Sequence, residues 1–180
     1  MEITQQLAEA LGFPKPHYRI VERERRWLCR EVPRELVKSV ERITDLYVTG
    51  THLRLREARS MDGSLSMLRI SRKADADETT RLISSIYLSE VDFSALRRGL
   101  EGVRVSKIRY RVTAPSGIAL CIDEFEGALA GLLIGEAEFE CDEALRVFET
   151  PQFASREITA DDRYSGYALA TLGMPPNSAF

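Results

Sequence analysis

Charged side chains recur at every second position in several β-type segments of this chain, and that spacing limits the folds it can adopt. The first such segment, residues 22–27, reads ERERRW. Side chains of a strand alternate between its two faces, so Glu22, Glu24 and Arg26 share one face. Two carboxylates beside a guanidinium do not form an apolar core. The pattern instead indicates a site for a metal ion next to an anion.

Charges of one sign are grouped on single segments, and charges of opposite sign lie on different segments. The groups are Glu22 and Glu24, Arg54 and Arg56, Arg69 and Lys73, Lys107 and Arg109, and Glu136 and Glu138. A solvated protein surface usually mixes both signs. Any one of these stripes could simply face water, but the set as a whole predicts a shared interior lined by several cations and several carboxylates.

The order of segments is that of a strand-rich chain. Strands are expected at 17–29, 43–48, 52–58, 65–73, 79–88, 103–112, 118–125 and 132–139, and short helices at 3–11, 33–40, 93–100, 142–148 and 164–172. Residues 150–163 show no regular pattern. About eight strands with hairpin-like spacing indicate an α+β, predominantly β fold, either an antiparallel sandwich or a barrel.

Most of the chain is expected to form one domain. The length of 180 residues and the 44% hydrophobic content suit a single packed core. The pattern predicts an N-terminal helix and linker at 1–16, the strand-rich domain at 17–173 and a tail at 174–180.

The composition argues against several classes of protein. A net charge of -3 is unlike that of a general nucleic-acid binder, and no run approaches the ~18 apolar residues of a membrane span. Cys29, Cys121 and Cys141 are scattered without a CxxC pair, so neither a zinc site nor a disulfide framework is expected. No signal peptide is visible, and the cytoplasm is the expected compartment.

A triphosphate bound with Mg²⁺ would match a charged barrel interior. Arginine and lysine neutralise phosphate oxygens, and carboxylates hold a hard divalent cation through oxygen. A barrel of about eight strands encloses enough room for one small ligand. Without such a ligand, like charges held together in the interior would repel each other at substantial cost.

At these residues the chain resembles the CYTH superfamily, the triphosphate tunnel metalloenzymes, over roughly residues 17–172. Its ExExK signature corresponds to Glu22, Glu24 and Arg26. Further similar segments are 47–48, 53–56, 69–73, 107–110, 122–127, 131–132, 136–139 and 158–164. The resemblance implies an eight-stranded antiparallel β-barrel with short flanking helices. It also implies an open tunnel that binds triphosphate with Mg²⁺ or Mn²⁺.

The resemblance also implies a set of site residues. The expected metal ligands are Glu22, Glu24, Glu136 and Glu138, with Asp123 in support. The expected phosphate ligands are Arg26, Arg54, Arg56, Arg69, Lys73, Lys107, Arg109 and Arg163. The implied partner is a small-molecule triphosphate, with a homodimer as a candidate assembly by analogy and with neither nucleic acid nor membrane expected.

Three positions depart from the family pattern. Arg26 replaces the signature lysine, which keeps the charge but not the ability to lose a proton readily. Arg81 and Cys121 stand where relatives often carry acids, so a thinner acidic wall and a weaker second metal site are expected.

The reaction that follows from the resemblance is metal-assisted hydrolysis of a triphosphate, with inorganic tripolyphosphate as the first candidate substrate. Lys107 is a candidate general base or a phosphate clamp, and Glu138 or Glu136 could hold the attacking water. Two alternatives stay open. One is an enzyme of an organic triphosphate, either a class IV adenylate cyclase or a thiamine triphosphatase, and the other is a non-catalytic phosphate-binding module.

Overall fold

Eight antiparallel strands close into a barrel in the computed structural model, which describes residues 2–114 and 117–176. The barrel strands are β1 Ile20–Cys29, β2 Val37–Val48, β3 Leu53–Ser60, β4 Leu65–Asp75, β5 Thr80–Tyr87, β6 Gly102–Thr113, β7 Ala119–Phe125 and β8 Leu133–Phe139. A short ninth strand, β9 Ala154–Glu157, pairs with β1. Around the barrel the eight strands run β5-β4-β3-β2-β6-β7-β8-β1, and β1 pairs again with β5 to close the ring. The predicted eight-stranded antiparallel barrel is confirmed.

Short helices flank the barrel. They are α1 Gln5–Ala10, α2 Glu90–Gly99, α3 Asp142–Val147 and α4 Gly166–Leu172, together with 3-10 turns at Pro16–Tyr18, Arg34–Leu36, Gly127–Leu129 and Asp162–Tyr164. Side-chain oxygens cap three of the four α-helices at their first turn, from Thr4, Ser89 and Ser165. Such caps satisfy backbone N–H groups that have no partner inside the helix. No helix among the described residues is long and apolar enough to cross a bilayer.

Three segment predictions were wrong. The helix expected at 33–40 is only the turn Arg34–Leu36, because β2 already begins at Val37 and pairs along β6 from there. Residues 150–163 are not wholly irregular, since β9 adds to the free edge of β1 beside β5. The first strand begins at Ile20 rather than residue 17, because Pro16–Tyr18 forms a 3-10 turn. Residues 177–180 of the expected tail lie outside the described residues.

Apolar side chains cover the outside of the barrel. Trp27 packs with Phe139 and Phe148 under α3, and the Trp27 and Phe148 ring centroids are 5.7 Å apart. A second cluster places Phe93 of α2 on Leu46, Leu55 and Leu68, and a third places Ala8 and Phe13 on Leu82. Because helices cover the outward faces, the core lies between the barrel wall and the helices, and the interior is left for polar groups.

One end of the barrel interior is filled by apolar groups. They are the inward-facing Leu28, Val105, Phe125 and Ile134, which pack with Tyr164 and Leu169 of the C-terminal segment. Gly166 at the start of α4 lies so close to the Tyr47 hydroxyl that any Cβ there would collide with it. Helix α4 therefore sits directly over this end, and the charged part of the interior lies towards the opposite end.

Candidate functional site

Charged side chains line the barrel interior beyond this apolar end. They are Glu22, Glu24 and Arg26 on β1, Asp45 on β2, Arg54 and Arg56 on β3, Arg69 and Lys73 on β4, Arg81 on β5, Lys107 and Arg109 on β6, Asp123 on β7, and Glu136 and Glu138 on β8. Two-residue spacing puts those of each strand on one face. The structure thus brings together all of the predicted site residues except Arg163.

Four carboxylates on the paired strands β1 and β8 form an acidic wall: Glu22, Glu24, Glu136 and Glu138. Glu24 lies directly opposite Glu138, and Arg26 lies opposite Glu136. Burial and the neighbouring Glu136 raise the pKa of Glu24 to about 7. Burial and Glu22 also raise the pKa of Glu138. Both shifts mean that the cations near Glu24 and Glu138 do not fully offset the cost of ionising these two carboxylates.

Glu136 has the opposite character. Burial would raise its pKa, but Arg109 and Lys73 outweigh that effect and lower the pKa to about 2. Glu136 is therefore ionised at neutral pH, and its charge adds to the effect of burial in disfavouring ionisation of Glu24. Within the wall, one carboxylate is firmly charged while its neighbour titrates near neutrality.

Two cations from other strands contact the acidic wall. Lys73 Nζ lies 2.6 Å from Glu22 Oε2, and Arg81 Nη1 donates to Glu24 Oε1. The second oxygen of Glu24, Oε2, is buried and has no hydrogen-bond partner in the described structure. A buried unpartnered carboxylate oxygen is costly unless a further group binds it.

These donors suit a hard divalent cation. Oxygen ligands from carboxylates are what Mg²⁺ and Mn²⁺ prefer, and Glu24 Oε2 is one that has no partner among the described residues. Within residues 2–114 and 117–176, however, no three acidic, histidine or cysteine side chains yet converge on one point. The acidic wall thus offers the kind of oxygen ligand that a divalent cation prefers, while Lys73 and Arg81 contact two of its carboxylates.

Five cations form a basic wall on β3, β4 and β6: Arg54, Arg56, Arg69, Lys107 and Arg109. Asp45 accepts two hydrogen bonds of 2.7 Å from Arg56, and its Oδ1 lies 3.8 Å from Arg54 Nε. Although Asp45 is buried, Arg56 and Arg54 hold its pKa well below the usual range. Asp45 therefore balances part of the basic wall from within.

Asp123 balances the other part. It accepts bonds of 2.7 and 2.8 Å from Arg109 and one of 2.6 Å from Lys107. These two cations outweigh burial and hold the pKa of Asp123 well below its usual value. Both of its oxygens are thus occupied, which leaves its predicted support of a metal ion an untested prediction.

Arg69 has no ion pair among the described residues. Its Nε is buried without a hydrogen-bond partner, and so is Arg54 Nε. Burial, Arg56 and Arg54 all lower the pKa of Arg69. Two guanidinium groups with unsatisfied donors, Arg54 and Arg69, beside a third, Arg56, are a site for an anion.

Arg26 is tied to the segment that closes the filled end of the barrel. Its Nη1 donates to the Tyr164 carbonyl at 3.2 Å, and its Nη2 donates to the Thr159 carbonyl at 3.1 Å. Its Nε also lies 3.2 Å from Glu24 Oε1. A planar guanidinium can serve two separate carbonyls at once. The structure thus gives Arg26 a positioning role, and its predicted phosphate contact remains a prediction.

Arg163 does not join the interior group. It lies in the turn Asp162–Tyr164, its side chain is 58% exposed, and it pairs with Asp161 at 2.7 Å. Two interior residues were missed by the sequence analysis as site candidates. Asp45 is the single acid of the predicted strand 43–48 and so carried no repeated signal, and Arg81 was noted only as a departure from the family pattern.

Acid should weaken the fold through Asp45. Because its folded-state pKa lies below the unfolded value, Asp45 contributes stability above about pH 4 that is lost as the pH falls further. In urea titrations from pH 5 down to pH 2, Asp45→Asn is expected to show a shallower loss, by up to about 1.4 kcal/mol per pH unit. An equal slope in both proteins would contradict this role.

Comparison with known proteins supports the similarity seen in the sequence. No family model matches the chain. An inorganic triphosphatase of Nitrosomonas europaea is 37% identical over 90 residues, which are 50% of this chain and 59% of that protein. The chain therefore matches well under two thirds of this curated relative. A crystal structure of the inorganic triphosphatase NE1496 covers 87% of this chain and 97% of its own, with a TM-score of 0.59 and 27% identity.

The chain is therefore similar in sequence and in fold to an inorganic triphosphatase. The PH1819 protein of Pyrococcus horikoshii is a more distant similar structure, with a TM-score of 0.54 and 22% identity over 69% of this chain and 82% of its own. That likeness shows the fold alone. In this barrel the strand that carries Glu22, Glu24 and Arg26 is β1, and the acidic and basic walls occupy one interior.

Proposed function

We propose that this barrel is a CYTH-type, metal-dependent hydrolase of a triphosphate, with inorganic tripolyphosphate as its substrate. The observation that carries the proposal is the unpaired Arg69 beside Arg54 and Arg56, in the same interior as the acidic wall. The name of the similar Nitrosomonas europaea protein, inorganic triphosphatase, supports the same activity here. A highly charged anion with no apolar part matches an interior whose free donors are guanidinium groups.

The basic wall would bind and align the substrate. Phosphoryl transfer depends mostly on placement and on charge stabilisation, so pre-arranged guanidinium groups are the main requirement. Arg54, Arg56 and Arg69 supply donors on one side of the interior. Lys107 and Arg109 are held in place by Asp123 on the adjacent strand, and we assign them phosphate contacts as well.

The acidic wall would hold the metal ion through Glu24 and Glu136, with Glu22 and Glu138 beside them. A bound Mg²⁺ or Mn²⁺ would neutralise phosphate oxygens as negative charge develops. We assign Glu138 the attacking water, because burial and Glu22 raise its pKa and make it a better base. Lys107 then acts as a phosphate clamp: burial and the neighbouring Arg109 lower its pKa, but its ion pair with Asp123 at 2.6 Å opposes that shift and holds the ammonium group in place.

The proposed reaction is the hydrolysis of the terminal phosphoanhydride bond of tripolyphosphate. Water adds to a terminal phosphorus and the bond from that phosphorus to the bridging oxygen breaks. One proton of the water passes to Glu138, and orthophosphate and pyrophosphate are the products. Lys73 is released from Glu22 in this scheme and is free to contact the substrate.

One assay tests the function against its alternatives. The protein is incubated with tripolyphosphate, ATP or thiamine triphosphate, each with Mg²⁺ or Mn²⁺, and the products are identified. Orthophosphate and pyrophosphate from tripolyphosphate are expected. Cyclic AMP from ATP, hydrolysis of thiamine triphosphate alone, or binding without turnover would each overturn the proposal in favour of the corresponding alternative.

Removing the unpaired arginine should weaken substrate binding more than it weakens the fold. Arg69→Gln is expected to raise the KM or Kd for tripolyphosphate by about tenfold or more, because a charge-assisted contact is lost. Arg59→Gln is the matched control, since Arg59 is an exposed arginine that pairs with Glu57. An unchanged KM for the Arg69 variant would remove Arg69 from the anion site.

We also propose a cytoplasmic location and a homodimeric assembly for this protein. The cysteines of the described residues, Cys29, Cys121 and Cys141, are free thiols, which suits the reducing cytoplasm. A homodimer is proposed by analogy with the superfamily, and sedimentation of the purified chain would test it.

A further inference from the structure

Arg81 holds the most buried carboxylate of the acidic wall. It lies on β5 opposite Asp75 of β4 and Glu22 of β1. Its Nη1 donates to Glu24 Oε1 and its Nε lies 2.5 Å from Asp75 Oδ1. Only 14% of the Arg81 side chain is exposed, and only 1% of the Glu24 side chain. The guanidinium is therefore built into the wall.

This contact competes with a metal ion for the same carboxylate. Glu24 has two oxygens: Oε1 accepts from Arg81 and lies 3.2 Å from Arg26 Nε, while Oε2 has no partner among the described residues. A divalent cation at Oε2 would lie next to a fixed positive charge in a poorly solvated interior, where repulsion is strong. To use both oxygens, the ion would have to displace Arg81.

The arrangement of the other carboxylates agrees with this competition. Lys73 holds Glu22 in the same way that Arg81 holds Glu24. Within the described residues no three potential ligands converge, although four carboxylates share the wall. Lys73 and Arg81 thus neutralise part of the negative charge that would otherwise be available to bind metal ions.

We propose that Arg81 is a resident counter-cation of the acidic wall, which lowers the affinity of the wall for divalent cations by occupying one oxygen of Glu24. The proposal rests on the metal dependence put forward above. Arg81 is thus a positioning residue, and it sets the concentration of divalent cation that is needed to fill the site.

Calorimetric titration of Mn²⁺ into the purified chain, without substrate, tests the proposal. Arg81→Gln is expected to bind Mn²⁺ at least about tenfold more tightly than the unaltered protein, because a nearby positive charge is gone. Arg81→Lys keeps the charge and is expected to stay within about threefold of the unaltered protein. Equal or weaker Mn²⁺ binding by Arg81→Gln would overturn the proposal.

Arg42→Gln provides the matched control. Arg42 is an exposed arginine that pairs with Glu126, so its loss removes the same charge without touching Glu24. Its Mn²⁺ affinity should equal that of the unaltered protein, and a gain as large as that of Arg81→Gln would reduce the effect to net charge alone.

Two further readouts keep the test decisive. If Arg81→Gln is unfolded without metal, Mn²⁺ must fold it, as followed by circular dichroism; a variant that stays unfolded at saturating Mn²⁺ counts against the proposal. The titration contains no triphosphate, so its outcome is independent of turnover. Absence of tripolyphosphate hydrolysis would overturn the proposed function and would leave the Mn²⁺ comparison readable.

Discussion

Glu24→Gln is expected to lower the rate of tripolyphosphate hydrolysis by at least about 10²–10³-fold, the cost of removing one key charge-stabilising group. Glu24 is the most buried carboxylate of the acidic wall, and its Oε2 has no partner in the described structure. Glutamine keeps the shape and an oxygen that can accept from Arg81, but it removes the charge that a metal ion needs. Initial rates of orthophosphate release over a range of Mg²⁺ or Mn²⁺ concentrations measure the effect.

The control for this variant is Glu126→Gln, at a partly exposed glutamate paired with Arg42. Its rate should match that of the unaltered protein. Circular dichroism and a thermal melt of Glu24→Gln should confirm that the barrel remains folded. A folded Glu24→Gln variant with an unchanged metal-dependent rate would rule out the acidic wall as the metal site.

Asp123→Ala is expected to destabilise the fold by about 3–5 kcal/mol, the usual cost of breaking a buried ion pair by removing one partner. Asp123 is the shared acceptor of Lys107 and Arg109, which are both buried. Without the carboxylate, Lys107 and Arg109 lose the acceptor of their hydrogen bonds, and Glu136 and Asp45 offset their buried charge only in part. Urea unfolding at pH 7 measures the change in the free energy of unfolding.

Glu124→Gln is the neighbouring control. Glu124 points to the other face of β7, where it accepts one bond from the Tyr110 hydroxyl at 2.7 Å, and a change of roughly 0.5–1.5 kcal/mol is expected there. Added tripolyphosphate should not lower the free energy of unfolding of either variant. If Asp123→Ala kept full stability and lost Mn²⁺ affinity instead, Asp123 would be a metal ligand rather than a structural counter-ion.

Much of the fold was predictable because strand periodicity is local. Segments such as 65–73 and 103–112 alternate so regularly that their strands were predicted within two residues at each end. The misses came where pairing overrode local preference. The pattern of residues 37–40 predicted the end of a short helix, yet these residues pair with β6 and belong to β2. Strand β9 forms because β1 extends beyond its pairing with β5 and can pair there with another segment.

The candidate site divides in the same way. Glu22, Glu24, Lys107 and Glu136 were assigned to one interior from spacing and family resemblance, and the structure places them there. Asp45 escaped notice because a single acid in a largely apolar segment carries no repeated signal. Its importance depends on Arg56, which lies opposite it on the next strand.

The amino-acid sequence by itself determined that the chain makes antiparallel strands and which charged side chains share a face, because both follow from the two-residue repeat of an extended backbone. Only the tertiary structure decided which charges meet. Barrel closure sets β5 against β1, so that Arg81 reaches Glu24, and among the residues that the structure describes Arg69 has no counter-ion. These pairings join residues far apart in the chain, and attraction and desolvation at such short range depend on three-dimensional placement.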